Sequence, residues 1–363
     1  MAKRGTHLVV DLRRIEENAR RVKEVCSAHG VEVLGVTKGF SAEPNIVSAM
    51  VAGGIEKLAD ARLENVLRLR RHGFRQHVTL LRIPMLSQAE QVVAACECSL
   101  NSELKVMRAL SDAALKQGKR HDVILMIDVG DLREGVLPED AVGPLHSALH
   151  LEGVRIAGVG TNMGCYGGIL PTETNLNLLC RVAEEMEQIV GAPLEIVSGG
   201  GTSSLMLTAE GRMPSGVNQI RVGEGILLGT DATFSRPIPW LNQDTFYIRA
   251  EIVELKSKPT VPIGERGAAV FADAPAFEDQ GIRRRAIIAL GQQDVSPGGV
   301  SPYDPDAQVL GASSDHMILD IEDSAVDYAV GDMMDLRLNY QGLLMACSSA
   351  YIPHVYLQRE AQS

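Results

Sequence analysis

The chain has 363 residues, 45 % hydrophobic and 22 % charged, and Asp plus Glu outnumber Lys plus Arg by 46 to 35, a formal net charge of −11. That is ordinary globular composition, long enough for one large domain or two smaller ones and for a core without disulfide or metal staples. The acidic balance sets aside general nucleic-acid binding, and no run approaches the ~18 uncharged apolar residues of a membrane span.

The opening Met1-Ala-Lys-Arg-Gly-Thr-His7 lacks the hydrophobic stretch and cleavage site of a signal peptide. Six scattered cysteines (Cys26, Cys96, Cys98, Cys165, Cys180 and Cys347) suit free thiols in a reducing cytoplasm. Cys96-Glu-Cys98 has no second Cys or His pair at a matching spacing, so no metal is expected.

In chain order, short β-branched runs at 8–11, 33–37, 57–60, 78–81, 98–100, 123–127, 155–159, 194–197 and 219–222 read as strands. Amphipathic helices lie between them. Ile15, Ala19, Val22 and Cys26 share one face, as do Leu179, Val182, Met186, Ile189 and Val190, with Gly191 as a C-terminal stop. Ser102 is placed to cap a helix over 103–117. Alternating β and α predicts a parallel sheet with covering helices, and eight such units after a leading strand predict a closed (β/α)8 barrel of the TIM type.

The texture changes near Phe234, where Ser235-Arg-Pro-Ile-Pro239 reads as a linker. Strand-like runs without strong helices follow at 246–255, 285–290, 316–321, 334–338 and 351–357. The predicted division is therefore an α/β barrel over 8–234 and a mostly β domain over 235–363, with the first strand free to join the β domain.

In a β/α barrel the reactive groups stand at the C-terminal ends of the strands. Lys38 follows the second strand, where a partly desolvated amine can form Schiff bases; a lysine snorkelling from a strand end looks the same in sequence. Ser198-Gly-Gly-Gly-Thr-Ser-Ser204 follows the eighth strand and Gly223-Glu-Gly225 the ninth, and both offer backbone N–H groups to an anion such as phosphate. Neither is a nucleotide-binding fingerprint, because the required lysine and spacing are absent. Asp128-Val-Gly-Asp-Leu-Arg-Glu-Gly135 follows the sixth strand, and its Arg133 faces either the pocket or a surface ion pair. A lysine, a phosphate cradle and a barrel together suggest pyridoxal phosphate.

The segments Val36-Thr-Lys-Gly-Phe40, 128–135, 198–202, 220–225, Ala289-Leu-Gly-Gln-Gln-Asp294 and Gly311-Ala-Ser-Ser-Asp-His316 together resemble the fold-type III pyridoxal-phosphate enzymes, the alanine racemase group. Within it the chain looks most like the ornithine racemase branch, and the resemblance spans nearly the whole sequence. It implies that Lys38 binds the cofactor aldehyde and that Arg221 faces the pyridine nitrogen. Arg133 would lie beside the ring hydroxyl, with Asn162 where the racemases place a ring-contacting His. Thr202, Ser203, Gly223 and Glu224 would hold the phosphate, the last two through backbone N–H, and Tyr351 lies near the family's C-terminal phosphate-binding Tyr.

A cation at the pyridine nitrogen disfavours its protonation and weakens the ring as an electron sink, so Arg221 favours racemisation over decarboxylation. Racemisation needs an acid/base on each face of Cα, and Lys38 can serve one. Alanine racemases use a partner-subunit Tyr for the other, but the comparable Pro262-Ile-Gly-Glu-Arg-Gly267 has none. Ser314, Asp315 and His316 occupy the segment that reaches across the family's dimer and are the candidates, ahead of Tyr303. Asp315 matches the aspartate that receives ornithine's distal amine in related decarboxylases, and Asp294 is a possible second acid.

The expectation is thus a cytoplasmic, pyridoxal-phosphate-dependent amino-acid racemase acting on ornithine, lysine or arginine, a homodimer with composite sites. The rivals are another fold-type III enzyme (a decarboxylase or D-amino-acid lyase) and a non-catalytic pyridoxal-phosphate carrier.

Overall fold

The computed structural model describes residues 5–267 and 277–357. The chain divides into two compact units, one of residues 13–243 and one of residues 1–12 with 244–363.

The leading strand β1 (His7–Asp11) is followed by helix α1 (Leu12–Ala28). Ile15, Ala19, Val22 and Cys26 form the buried face of α1, as the spacing predicts. Eight parallel strands then close a barrel in chain order: β2 (Glu32–Val36), β3 (Lys57–Asp60), β4 (His77–Leu80), β5 (Cys98–Asn101), β6 (His121–Met126), β7 (Val154–Gly160), β8 (Ile196–Ser198) and β9 (Gln219–Val222). These strands read as short apolar runs because both of their faces are covered. Cys98, Leu100, Ile124 and Met126 pack as one buried cluster, and Leu34, Val36 and Ala59 as another.

The covering helices are α2 (Pro44–Ala52), α3 (Leu63–Arg71), α4 (Ala89–Ala95), α5 (Leu104–Lys116), α6 (Val142–Leu149) and α7 (Glu173–Val190). Two short ones, α8 (Leu205–Ala209) and α9 (Glu224–Leu228), follow β8 and β9. Helix α7 opens with a capping box between Thr172 and Asn175 and ends at Gly191, which holds φ 74°. Helix α5 departs from expectation. The chain stays extended through Glu103, which takes the cap position, so Ser102 lies one residue too early to cap it.

The segment after Phe234 remains with the barrel. The ribbon β10 (Thr230–Asp231) and β11 (Arg236–Pro237) folds it back, and the Ile238 N–H donates to the Gly229 carbonyl at 2.8 Å. Arg21 Nη1 reaches the Trp240 carbonyl at 2.6 Å, and the Asn242 N–H donates to Asn18 Oδ1 at 2.8 Å. These bonds carry the division between the units to 243/244, beyond the Pro-rich stretch.

The second unit is an eight-stranded sheet. It runs β14 (Val300–Pro302), β17 (Met333–Leu338), β12 (Phe246–Pro259), β13 (Ile282–Ile288), β16 (Met317–Asp320), β15 (Gln308–Ala312). Strand β1 pairs antiparallel with β12 and parallel with β18 (His354–Leu357). Phe246, Ile248, Ala250 and Ile252 are buried at alternate positions, the period of a half-buried strand. This unit also holds a short helix, α10 (Tyr340–Ala346), capped by Asn339 Oδ1 accepting from the Gly342 N–H at 2.9 Å, within an otherwise β domain. Among the described residues, no helix is long and apolar enough to cross a membrane, and no cluster of His, Cys, Asp and Glu is arranged to hold a metal.

Candidate active site

Lys38 begins a single helical turn (Lys38–Phe40) just beyond β2 and is half-buried. The turn is tight: the Thr37 carbonyl accepts from Phe40 N–H at 3.4 Å and Ala42 N–H at 3.1 Å. Ser41 and Ala42 hold φ of 52° and 51°, in the left-handed region that non-glycine residues seldom occupy. Two such residues directly after a candidate catalytic lysine mark a backbone held by its surroundings.

Arg221, on β9, is buried, and its guanidinium is held by neutral oxygens. Nη1 donates to Ser198 Oγ at 2.5 Å, and Nη2 donates to the Thr161 carbonyl at 2.7 Å and Asn162 Oδ1 at 3.5 Å. Burial pushes its pKa down to about 10, so it stays charged at neutral pH. Asn162 also donates from Nδ2 to Glu134 Oε1 at 3.3 Å, and both Glu134 oxygens accept from Arg133. Burial opposes the Arg133 charge, but the Glu134 carboxylate outweighs it and holds Arg133 above the ordinary arginine value. The structure thus gathers Arg133, Asn162 and Arg221 into one network, with Glu134 as the link the sequence reading did not single out.

Asp131 is a second unread residue. It is buried and accepts backbone N–H groups from Gly164 at 3.1 Å, Tyr166 at 3.1 Å and Ile169 at 3.3 Å, joining the loops after β6 and β7.

The glycine-rich turns meet where Thr202 Oγ1 accepts from the Gly225 N–H at 3.2 Å. Thr202 and Ser203 form the turn (Thr202–Ser204) that enters α8, and Gly223 precedes α9. The first N–H groups of a helix lack intrahelical partners and point outward. The Glu224 carboxyl is turned to Thr230, whose Oγ1 donates to it at 2.7 Å, and burial raises its pKa. Its backbone N–H is therefore the part of Glu224 offered to an anion.

The remaining candidates lie in the second unit. Ser314, Asp315 and His316 form the turn between β15 and β16, with the Ser313 N–H donating to the His316 carbonyl at 2.8 Å and Ser314 Oγ to Asp315 Oδ2 at 2.6 Å. The Gln293 N–H donates to the Ser314 carbonyl at 3.1 Å, and a Cβ on Gly291 would stand 2.1 Å from that oxygen, so this approach requires glycine. Asp294 Oδ1 accepts from Ser349 Oγ at 2.6 Å, and Ser349 Oγ in turn accepts from the Tyr351 N–H at 3.1 Å. Asp294, Ser314, Asp315, His316 and Tyr351 thus belong to one hydrogen-bonded neighbourhood. Tyr303 stands apart and donates its hydroxyl to Asp244 at 2.8 Å.

The family model "Alanine racemase, N-terminal domain" matches residues 10–231. The chain is 43 % identical to a lysine racemase of Thermotoga maritima, over 96 % of this chain and 98 % of that one. It is 40 % identical to an ornithine racemase of Acetoanaerobium sticklandii, over 95 % and 98 % of the two chains. An alanine racemase from D-cycloserine-producing Streptomyces lavendulae has the same fold, with a TM-score of 0.77 over 99 % of this chain and 98 % of that chain at 16 % identity.

Pyridoxal phosphate is the cofactor of this group, and the barrel residues fit it. A half-buried amine follows β2, a buried cation stands on β9, the strand paired with β2, and the buried Thr161 Oγ1 has no hydrogen-bond partner among the described residues. The two glycine-rich turns are made for bare backbone. Gly200 holds φ 104°, and a Cβ on Gly223 would come within 3.1 Å of Val36 Cβ. A barrel with these turns, a match across residues 10–231 and two racemases at 43 % and 40 % identity along nearly the whole chain lead to one conclusion: this chain belongs to the alanine racemase family.

Proposed function

We propose that the protein is a cytoplasmic, homodimeric, pyridoxal-phosphate-dependent racemase that interconverts the L and D forms of a basic amino acid. The observation that carries this reading is the near full-length identity to a lysine racemase and an ornithine racemase. The barrel site supports it, because Arg221 meets its ligands as a buried cation on neutral oxygens.

When bound, pyridoxal phosphate draws electron density from the substrate's Cα–H bond and acidifies it. This chain's residues do the rest. Lys38 takes and returns the proton on one face of Cα. Arg221 would face the bound ring's nitrogen and disfavour its protonation, steering the reaction to proton return. Arg133, fixed by Glu134, would lie beside the ring hydroxyl, and Asn162 joins Glu134 to Arg221. Thr202, Ser203 and the N–H groups of Gly223 and Glu224 would hold the phosphate, with Tyr351 as a further contact. The proton on the other face comes from Ser314, Asp315 or His316 of the partner subunit. Asp315, helped by Asp294, receives the distal ammonium of the substrate by a charge-assisted hydrogen bond.

Proton NMR of L-ornithine, L-lysine, L-arginine and L-alanine in D2O with the loaded protein, followed by chiral chromatography, tests this. Cα-proton loss with the D isomer from a basic substrate is expected, and release of CO2 or an aldehyde instead would overturn it. Asp315→Ala should cut the preference for the basic substrate over alanine by about 10- to 100-fold, the worth of one hydrogen bond to a charged group. An unchanged preference would remove Asp315 from the substrate site.

A further inference from the structure

Asp60 ends β3, beside the end of β2 and the Lys38 turn, and is fully buried. Every bond it makes is as an acceptor. Oδ2 accepts from Thr37 Oγ1 at 2.5 Å, and Oδ1 accepts from the Arg62 N–H at 2.7 Å. Asn65 Nδ2 donates to both oxygens, at 3.1 and 3.2 Å. The Thr37 hydroxyl also lies 3.3 Å from the Ala59 carbonyl, so it is held between strand and carboxyl. Burial leaves the Asp60 pKa raised on balance, against the lowering by these donors and by the Lys38 charge.

The Lys38 charge is among the influences that lower the Asp60 pKa. Cys96, at the end of α4, also feels Asp60 but stays a neutral thiol, since burial pushes it up to about 12. Thr37, which Asp60 grips, immediately precedes Lys38, and the Thr37 N–H is held by the Ala59 carbonyl at 2.9 Å. On the far side of the turn, Arg68 Nη1 holds the Ser41 carbonyl at 3.0 Å. The strained Ser41–Ala42 backbone is thus fixed from both sides.

We infer that Asp60 is the positioning residue of Lys38: it anchors the lysine-bearing turn by gripping the hydroxyl of the preceding residue, Thr37. This rests on the racemase reading and adds to it the buried group that holds the lysine's backbone in place.

The test uses Asp60→Asn and Thr37→Val in the pyridoxal-phosphate-loaded protein. The visible absorption of each is recorded as a measure of how much cofactor Lys38 holds, and kcat and KM are measured alongside. In Asp60→Asn the amide oxygen can stay on the Arg62 N–H while Thr37 Oγ1 turns to accept from the amide N–H, so the fold has a route to survive. Asp60→Asn, which loses the charge-assisted grip on the Thr37 hydroxyl, should lower kcat by about tenfold with KM little changed. Thr37→Val, which cuts the anchor outright, should lower kcat at least as far, and Thr37→Ser, which keeps the hydroxyl, should restore it. A fully active Thr37→Val would overturn the inference, as would an Asp60→Asn whose kcat equals the parent's. A parent protein that racemises nothing, while Asp60→Asn and Thr37→Val both lose the visible absorption of the bound cofactor, would overturn the function and leave the role of Asp60 standing.

Discussion

Two arginines at opposite ends of one barrel show how differently the same side chain is used. Arg155, at the start of β7, is 36 % exposed and lies between two carboxylates, Asp122 at 2.6 Å and Glu195. Those bonds hold its pKa above the ordinary value. Arg221, near the end of β9, is buried among neutral oxygens, and burial pushes it down to about 10. The floor of the barrel pairs its charges with one another: Glu32 also meets Lys57 at 2.7 Å, and Arg70 meets Glu97 at 2.8 Å. The mouth leaves a cation without a carboxylate of its own. An imbalance of that kind in a folded interior is stable only where a ligand or a reaction uses it.

Mutation should separate the two ends. Lys38→Ala should lower racemisation by about 10³-fold, read by chiral chromatography, since it removes one of the two proton carriers. Arg221→Gln, which keeps two polar contacts and loses the charge, should cost about 10²-fold in kcat while the protein still folds. Activity near the parent's would make Arg221 as structural as Arg155.

At the floor the readout is stability. His121, on β6, shares a 2.8 Å hydrogen bond with Ser99 Oγ, and burial pushes its pKa down to about 4. A depressed folded pKa favours the neutral form, so its stabilisation is complete above an unfolded value of about 6.5 and is lost as the pH falls towards 4. Thermal melts between these values should fall more steeply for the parent than for His121→Gln, by about 3 kcal/mol over the window. The smallest effect is expected from Arg155→Ala: under about 1 kcal/mol of stability, as for exposed ion pairs, and kcat within about twofold of the parent's.

Much of this was legible in the sequence, and the exceptions have causes. The barrel strands stood out because burial on both faces leaves short apolar runs that helices interrupt. Lys38 stood out because a basic residue beside such a run is costly to bury, whereas Arg221 came only with the family resemblance. Asp60 ends a strand in the same way and went unread, because its meaning depends on Thr37, 23 positions earlier in the chain. Glu134 adjoins Arg133 in sequence, yet only the structure links it to Asn162. Strand β15 escaped because its register shifts between Val309 and Gly311 and its residues are only partly buried, which blurs the alternation. Helix α10 has seven residues, too few for a period of 3.6 to declare itself.

The placement of β1 bears on how the protein is made. This strand leaves the ribosome well ahead of its partners, β12, beginning at Phe246, and β18, ending at Leu357. At about 5–20 residues per second, those 350 or so residues take roughly 20 to 70 seconds to synthesise. Until then at least one edge of the Leu-Val-Val strand stays unpaired. The nascent chain thus carries a segment open to mispairing, and its yield in cells should depend on whatever shields that strand.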